Sequence, residues 1–289
     1  MLAARAEAVR CELVARRPGD WRTRVLEESA DGHAVIEYSL GDVRVIGKLR
    51  HDGLGEASLR LLQALEAAGT RTLRVPRPIA WLESPGALLM EMAMGEPCRS
   101  LDPMLMPATL ERIGRALQEL HALTIPLPMR SVRRLVDHVE DLVRPNPAVL
   151  AAALPVHAAL IQRVLARLYA EESAWGPLPE VLLHRDFHLR QLFDDGTHVT
   201  VLDWDDAACG DPAFDVGYFA TYLKTHYPAA TATAGIAAFR MGYGGDAGLW
   251  ERTAAYERFN YLRRACRRFR IRDANWEREL AAMLERLGG

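Results

Sequence analysis

Carboxylate crowding constrains this chain more than any other feature. Between Arg185 and Asp215 stand eight Asp and two Arg, with no Lys or Glu, a local excess of six negative charges. Carboxylates packed so closely repel unless hydrogen bonds or cations neutralise them, and hard divalent cations prefer oxygen ligands. The local pattern adds direction. Val181-Leu182-Leu183 is an apolar run, and Asp194-Asp195-Gly196 separates two short apolar segments, Leu192-Phe193 and Val199 to Leu202. That reads as a loop feeding a hairpin, with Asp186 on the loop and Asp203 just past a strand end.

Two carboxylates so placed suit phosphoryl transfer. One orients and deprotonates an attacking hydroxyl, the other holds Mg²⁺ on the β- and γ-phosphates, and a short polar side chain between them serves a second ion. Asp is also common in turns and caps, so spacing alone leaves a purely structural role open for both residues.

His184-Arg185-Asp186-Phe187-His188-Leu189-Arg190-Gln191, then Asp203-Trp204, then Gly210-Asp211-Pro212-Ala213-Phe214-Asp215 make three ordered motifs. Together they resemble the aminoglycoside phosphotransferase family, related to the choline, homoserine and eukaryotic-type protein kinases. The family's loop reads His-Gly-Asp-x-His-x-x-Asn; here Arg185 replaces the Gly and Gln191 stands where Asn binds the second metal. The resemblance implies an α+β, bilobal protein-kinase-like fold, with a small antiparallel-sheet N-lobe over residues 1–93 and a mostly helical C-lobe over 94–289. It implies ATP and Mg²⁺ as cofactors and a small-molecule hydroxyl as acceptor. Asp186 would be the base, Asp203 the metal ligand and Gln191 a second-metal ligand. His184 would anchor the loop and Asp215 buttress it, with His188 orienting the loop or touching substrate.

In chain order, residues 2–16 read as an amphipathic helix, followed by strands over 22–26, 34–40 and 44–49 that form an antiparallel meander. A phosphate loop over Ser29 to His33 has only Gly32 to serve it, so an ordinary hairpin is an equal reading. Lys48, in Val45-Ile46-Gly47-Lys48, nearly matches the pattern whose lysine grips the α- and β-phosphates, and this chain has very few lysines. Glu56, at a helix start, could pair with Lys48, although the helix dipole also favours Glu there.

Leu73 to Trp81, with Pro76 and Pro78, reads as an extended connection. Ala87 to Pro97 passes from a buried strand into a Gly/Pro linker. By the resemblance, adenine lies against this hinge, on the Glu91 carbonyl and Ala93 amide with Met90 and Met92 beside it. Met-rich apolar segments are also ordinary core. Beyond Leu101 the pattern is helical, over 110–123, 131–144 and 148–173 and again after Asp215, with Pro145-Asn146-Pro147 as a break.

A net charge of −2 at 26% charged residues points to neither nucleic acid nor membrane. The scattered Cys11, Cys98, Cys209 and Cys266, with no apolar span or signal-peptide core, suggest free thiols in the cytoplasm. Two other readings stay open: a nucleotide-binding pseudokinase scaffold, favoured by Gln191, and a protein kinase, favoured by His-Arg-Asp but left without room for an activation loop. Residues 240–289 hold eleven Arg against seven Asp or Glu. If that region borders the acceptor, as the resemblance implies, a neutral or anionic compound is expected rather than a polycation.

Overall fold

The structure, a computed structural model, describes residues 2–29, 32–100, 106–125, 129–132 and 134–288. From the amino end the chain forms α1 (Leu2–Arg16), β1 (Arg22–Glu28), β2 (Ala34–Leu40), β3 (Val43–Leu49), α2 (Gly55–Ala67), β4 (Leu73–Arg74), β5 (Pro78–Leu82), β6 (Ala87–Glu91) and β7 (Glu96–Pro97). There follow α3 (Met106–Ala122), β8 (Ser131–Val132), α4 (Leu135–Leu142), α5 (Pro147–Ala153), α6 (Pro155–Ala174), β9 (Val181–Leu183), β10 (Leu192–Asp194), β11 (Val199–Val201) and β12 (Ala208–Gly210). Four helices close the chain: α7 (Ala213–His226), α8 (Ala229–Tyr243), α9 (Ala247–Ile271) and α10 (Trp276–Gly288). Among the described residues no helix is long and apolar enough to cross a membrane.

Two compact units result, one of Met1–Ser100 with Leu189–Asp205, the other of Leu101–His188 with Asp206–Gly289. This differs from a single division at residues 93 and 94, because residues 189–205 return to the first unit. Strand pairing is the cause. The predicted hairpin forms, with Leu192 opposite Val201, and its strands pair outward with β7 and β4 in a sheet of order β4-β11-β10-β7. Gly95 permits this approach, since a Cβ on it would stand 2.6 Å from the backbone of Asp194 and its φ is +95°.

The larger sheet of the first unit has order β1-β2-β3-β6-β5, all antiparallel. Alternate residues Ile36, Tyr38, Val45 and Leu49 face a core completed by Ala6, Val9 and Leu13 of α1, the i, i+3, i+7 stripe of an amphipathic helix. The stretch read as an extended connection contains a strand after all. Pro78 opens β5 at the sheet edge, where its missing N–H breaks no ladder.

In the second unit a small sheet of order β8-β12-β9 flanks packed helices. The helix predicted over 131–144 begins only at Leu135, because Ser131 and Val132 pair in parallel with β12. The helix predicted over 148–173 is two helices, since Pro155 supplies no N–H to continue α5. Glycines let α3 and α8 approach closely: a Cβ on Gly114 would lie 2.2 Å from the Phe239 carbonyl oxygen, and one on Gly242 would lie 1.8 Å from that of Glu111.

Gly114→Ala is therefore expected to destabilise the protein by about 1–3 kcal/mol through backbone displacement, although alanine in a free helix gains about 1 kcal/mol over glycine. The check is the urea midpoint, and an unchanged or raised midpoint would refute the crossing argument.

Candidate active site

In the first unit, β3 carries Lys48 to the segment just beyond β11. Its Nζ stands 2.5 Å from Oδ1 of Asp203 and 2.7 Å from Oδ2 of Asp205, residues more than 150 positions away in sequence. Burial lowers the proton affinity of Lys48, but the two carboxylates outweigh it and raise the pKa, so the lysine stays charged. Arg50, just past the end of β3 and almost fully buried, also pairs with Asp205 and reaches Asp52 at 2.5 Å. Its hydrogen bond holds the Asp52 carboxyl at a pKa of about 2. Gln191 donates from Nε2 to Oδ2 of Asp203 at 3.3 Å. Asp203 itself has φ +61°, a left-handed conformation that costs a non-glycine residue about 1–2 kcal/mol.

The structure brings together Lys48, Asp203 and Gln191 but not Glu56. Glu56 is exposed on the first turn of α2 and pairs with Arg60 at 2.9 Å, one turn along its own helix, while the partners of Lys48 are Asp203 and Asp205. At the end of β6, Met90 and Ala93 are half-buried and Met92 is exposed. The Glu91 N–H donates to the Arg77 carbonyl, and its carboxylate pairs with Arg77 at 3.2 Å. Where a phosphate loop or an ordinary hairpin was expected, Ser29 N–H donates to the His33 carbonyl and Gly32 N–H to the Ser29 carbonyl. Ala30 and Asp31 of that loop lie outside the described residues.

In the second unit, Asp186 is half-buried and closely held. The Tyr218 hydroxyl donates to its Oδ1 at 2.6 Å, and His188 Nε2 is 3.4 Å from its Oδ2. Burial pushes the Asp186 carboxyl up, but His188, Arg263 and Tyr218 prevail and hold it well below the usual carboxylate range. The same contact, with burial, raises the Tyr218 phenol, so it remains a donor at neutral pH.

The loop is fixed from beneath by Asp215, fully buried at the start of α7. Its two oxygens accept the N–H of His184 at 2.7 Å and of Arg185 at 2.8 Å, and His121 Nε2, on α3, is 3.3 Å away. His184 in turn accepts the Asp186 N–H on Nδ1 at 3.3 Å. Arg185, standing where the resemblance expects glycine, has φ +65°. Its strain is offset by bonds to Asp141 at 3.0 Å and to the Asp206 carbonyl at 3.3 Å.

Sequence reasoning missed Arg50, Tyr218 and Arg263. Tyr218 carried a faint signal, three residues after Asp215 in an apolar, aromatic run. Arg263 was one of the eleven arginines of residues 240–289 with nothing to single it out.

A family model described as the phosphotransferase enzyme family matches residues 37–256. A search of curated proteins finds no match. Among solved structures, aminoglycoside phosphotransferase APH(4)-Ia, a thermostable mutant in ternary complex with ADP and hygromycin B, is 16% identical with a TM-score of 0.73, covering 97% of each chain. A choline/ethanolamine kinase family protein from Mesorhizobium loti is 16% identical with a TM-score of 0.63, covering 100% of this chain and 94% of that one. A macrolide 2′-phosphotransferase from Brachybacterium faecium is 19% identical with a TM-score of 0.61, covering 96% and 97%. At these identities the likeness is one of fold.

Asp215→Asn keeps the volume but leaves one acceptor oxygen for two N–H groups. It is expected to lower stability by about 1–3 kcal/mol, the scale for a buried polar group left unpaired. Chemical denaturation checks this, and a loss below half a kcal/mol would mean the loop does not rest on Asp215.

Proposed function

This chain belongs to the phosphotransferase enzyme family, and from that premise we propose that it moves the γ-phosphoryl group of ATP to a hydroxyl of a small molecule. The observation that carries the reading is the 2.5 Å pairing of Lys48 with Asp203. Residues singled out independently, one for phosphates and one for a metal, converge across the sequence.

Lys48 would grip the α- and β-phosphates, exchanging its carboxylate partners for phosphate oxygens. Met90, with the Glu91 carbonyl and the Ala93 amide, would receive adenine. Asp203 and the amide oxygen of Gln191, presented by a turn of the side-chain amide, would hold Mg²⁺. An ion held by so few protein ligands would keep waters and take phosphate oxygens as its other ligands. When bound, Mg²⁺ neutralises charge on the β- and γ-phosphates.

Asp186 would orient the acceptor hydroxyl. The hydroxyl oxygen bonds to the γ-phosphorus, the bond to the β,γ-bridging oxygen breaks, ADP leaves, and the hydroxyl proton passes to the Asp186 carboxylate. So acidic a carboxyl is a weak base, and its effect lies first in alignment, with the proton taken late. Tyr218 and His188 fix the plane of the carboxylate.

In a thermal-shift titration ATP should stabilise the wild type more with Mg²⁺ than without. Asp203→Ala should lose the Mg²⁺-dependent part and transfer with it. Asp186→Asn should keep the shift and lose about 10²- to 10⁴-fold in turnover. Near-wild-type activity in either variant, or no nucleotide shift in the wild type, would sink the proposal.

Gln191 is tested by activity against Mg²⁺ concentration. Gln191→Asn should track the wild type, and Gln191→Ala should need more Mg²⁺ or run slower. Three superimposable curves would remove Gln191 from the metal site.

A further inference from the structure

Resting on the reading of Asp186 as the base, we propose that Arg263 of α9 is a positioning residue for the transfer: it aligns Asp186 through two groups that it touches, the ring of Tyr218 and the carbonyl of Arg185. All these residues belong to the second unit.

The close approach of α7 and α9 sets the geometry. A Cβ on Gly217 would stand 2.7 Å from Cβ of Tyr256 and 3.1 Å from the Thr253 carbonyl oxygen, so glycine is what lets the two helices meet at that point. Tyr218 is the next residue along α7, and Arg263 lies about two turns beyond Tyr256 on the same face of α9. Arg263 thereby comes over Tyr218, its Cζ 5.1 Å from the centre of the ring. A guanidinium suits that place, because it is planar and weakly hydrated and stacks on an aromatic face better than a compact ammonium does.

From there Nη1 donates to the Arg185 carbonyl at 3.2 Å, and Nη2 stands 3.9 Å from Oδ1 of Asp186 and 3.9 Å from Oδ2 of Asp206. The peptide unit ahead of Asp186 is thus held at both ends, its carbonyl by Arg263 and its N–H by Nδ1 of His184 at 3.3 Å. Oδ1 of Asp186 accepts the Tyr218 hydroxyl at 2.6 Å, so the ring beneath Arg263 is the ring that orients the carboxylate. At 3.9 Å, beyond the roughly 2.7–3.2 Å of a hydrogen bond, Arg263 does not itself grip Asp186. Its side chain is largely buried, however, and a positive charge at that separation favours the carboxylate over the acid. Burial of Asp186 favours the acid, and three groups answer it: His188 on the loop, Arg263 on α9 and the Tyr218 hydroxyl on α7.

The test reads Asp186 directly and needs no acceptor. In protein carrying carboxyl-labelled (¹³C) aspartate, the NMR resonance lost in Asp186→Asn is that of Asp186. On acidification it should take up its proton at higher pH in Arg263→Gln than in the wild type, by about one pH unit, and near the wild-type pH in Arg263→Lys, which keeps the charge. ADP release from ATP and Mg²⁺, with water as the acceptor, should fall about 10- to 10²-fold in Arg263→Gln, the scale of a misaligned group. Arg263→Lys should recover part of it, and the thermal shift with ATP should keep its wild-type size in both variants. The exposed control Arg270→Gln should match the wild type throughout. A merely structural tie would lower the urea midpoint and leave the titration of Asp186 in place. That result, or undiminished ADP release from folded Arg263→Gln, overturns the proposal. Near-wild-type ADP release in Asp186→Asn, or none in the wild type, counts instead against the reading of Asp186 as the base, and the titration alone then upholds or overturns the action of Arg263 on Asp186.

Discussion

A fully buried carboxylate organises the loop that carries Asp186. Asp215 is shielded from water, and a charge so placed costs several kcal/mol unless its oxygens are met by donors. The donors are the consecutive N–H groups of His184 and Arg185, together with His121, which is itself bonded to Tyr243 at 2.8 Å. Turning two adjacent amides toward one side chain forces the chain to bend at Arg185, and the left-handed φ there follows. Asp186, the next residue, is thereby turned toward Tyr218. The close crossing of α3 and α8 belongs to the same chain of cause, since it brings His121 and Tyr243 into contact.

The acidic crowding is resolved group by group rather than by one counter-charge. Asp203 and Asp205 share Lys48, and Arg50 takes the other side of Asp205. Asp211 forms a two-bond fork with Arg252, at 2.8 and 3.0 Å. Asp194 and Asp195 accept backbone N–H groups inside their own turn. Asp186 takes the Tyr218 hydroxyl and the His188 ring. The pairs differ in what they can release. Asp203 is partly exposed and paired with Lys48, whereas Asp211 and Asp215 are buried and bonded on both oxygens.

The arginines of α9 illustrate a related economy. Residues 258–272 hold seven arginines that the sequence alone does not tell apart. Packing sorts them: Arg258 pairs with Glu171, Arg268 with Asp273 and Glu279, and Arg263 lies across an aromatic ring.

Much was legible in the residues themselves. The alternation Ile36, Tyr38 and Val45, Leu49 could bury only one face of a sheet, Asp-Asp-Gly between two short apolar segments made a hairpin, and Asp186, Asp203 and Lys48 stood in recognisable local motifs. These are local facts, because turn geometry and side-chain period depend on neighbours within a few residues. Pairings over long distances were not legible. Lys48 prefers Asp203 and Asp205 to Glu56 because strand pairing returns residues 189–205 to the first unit, and Glu56 finds Arg60 one turn away. Tyr218 and Arg263 meet Asp186 because α7 and α9 pack side by side. Their partners are set by helix rotation and crossing, which arise from the summed packing of many side chains and leave no mark at any single position.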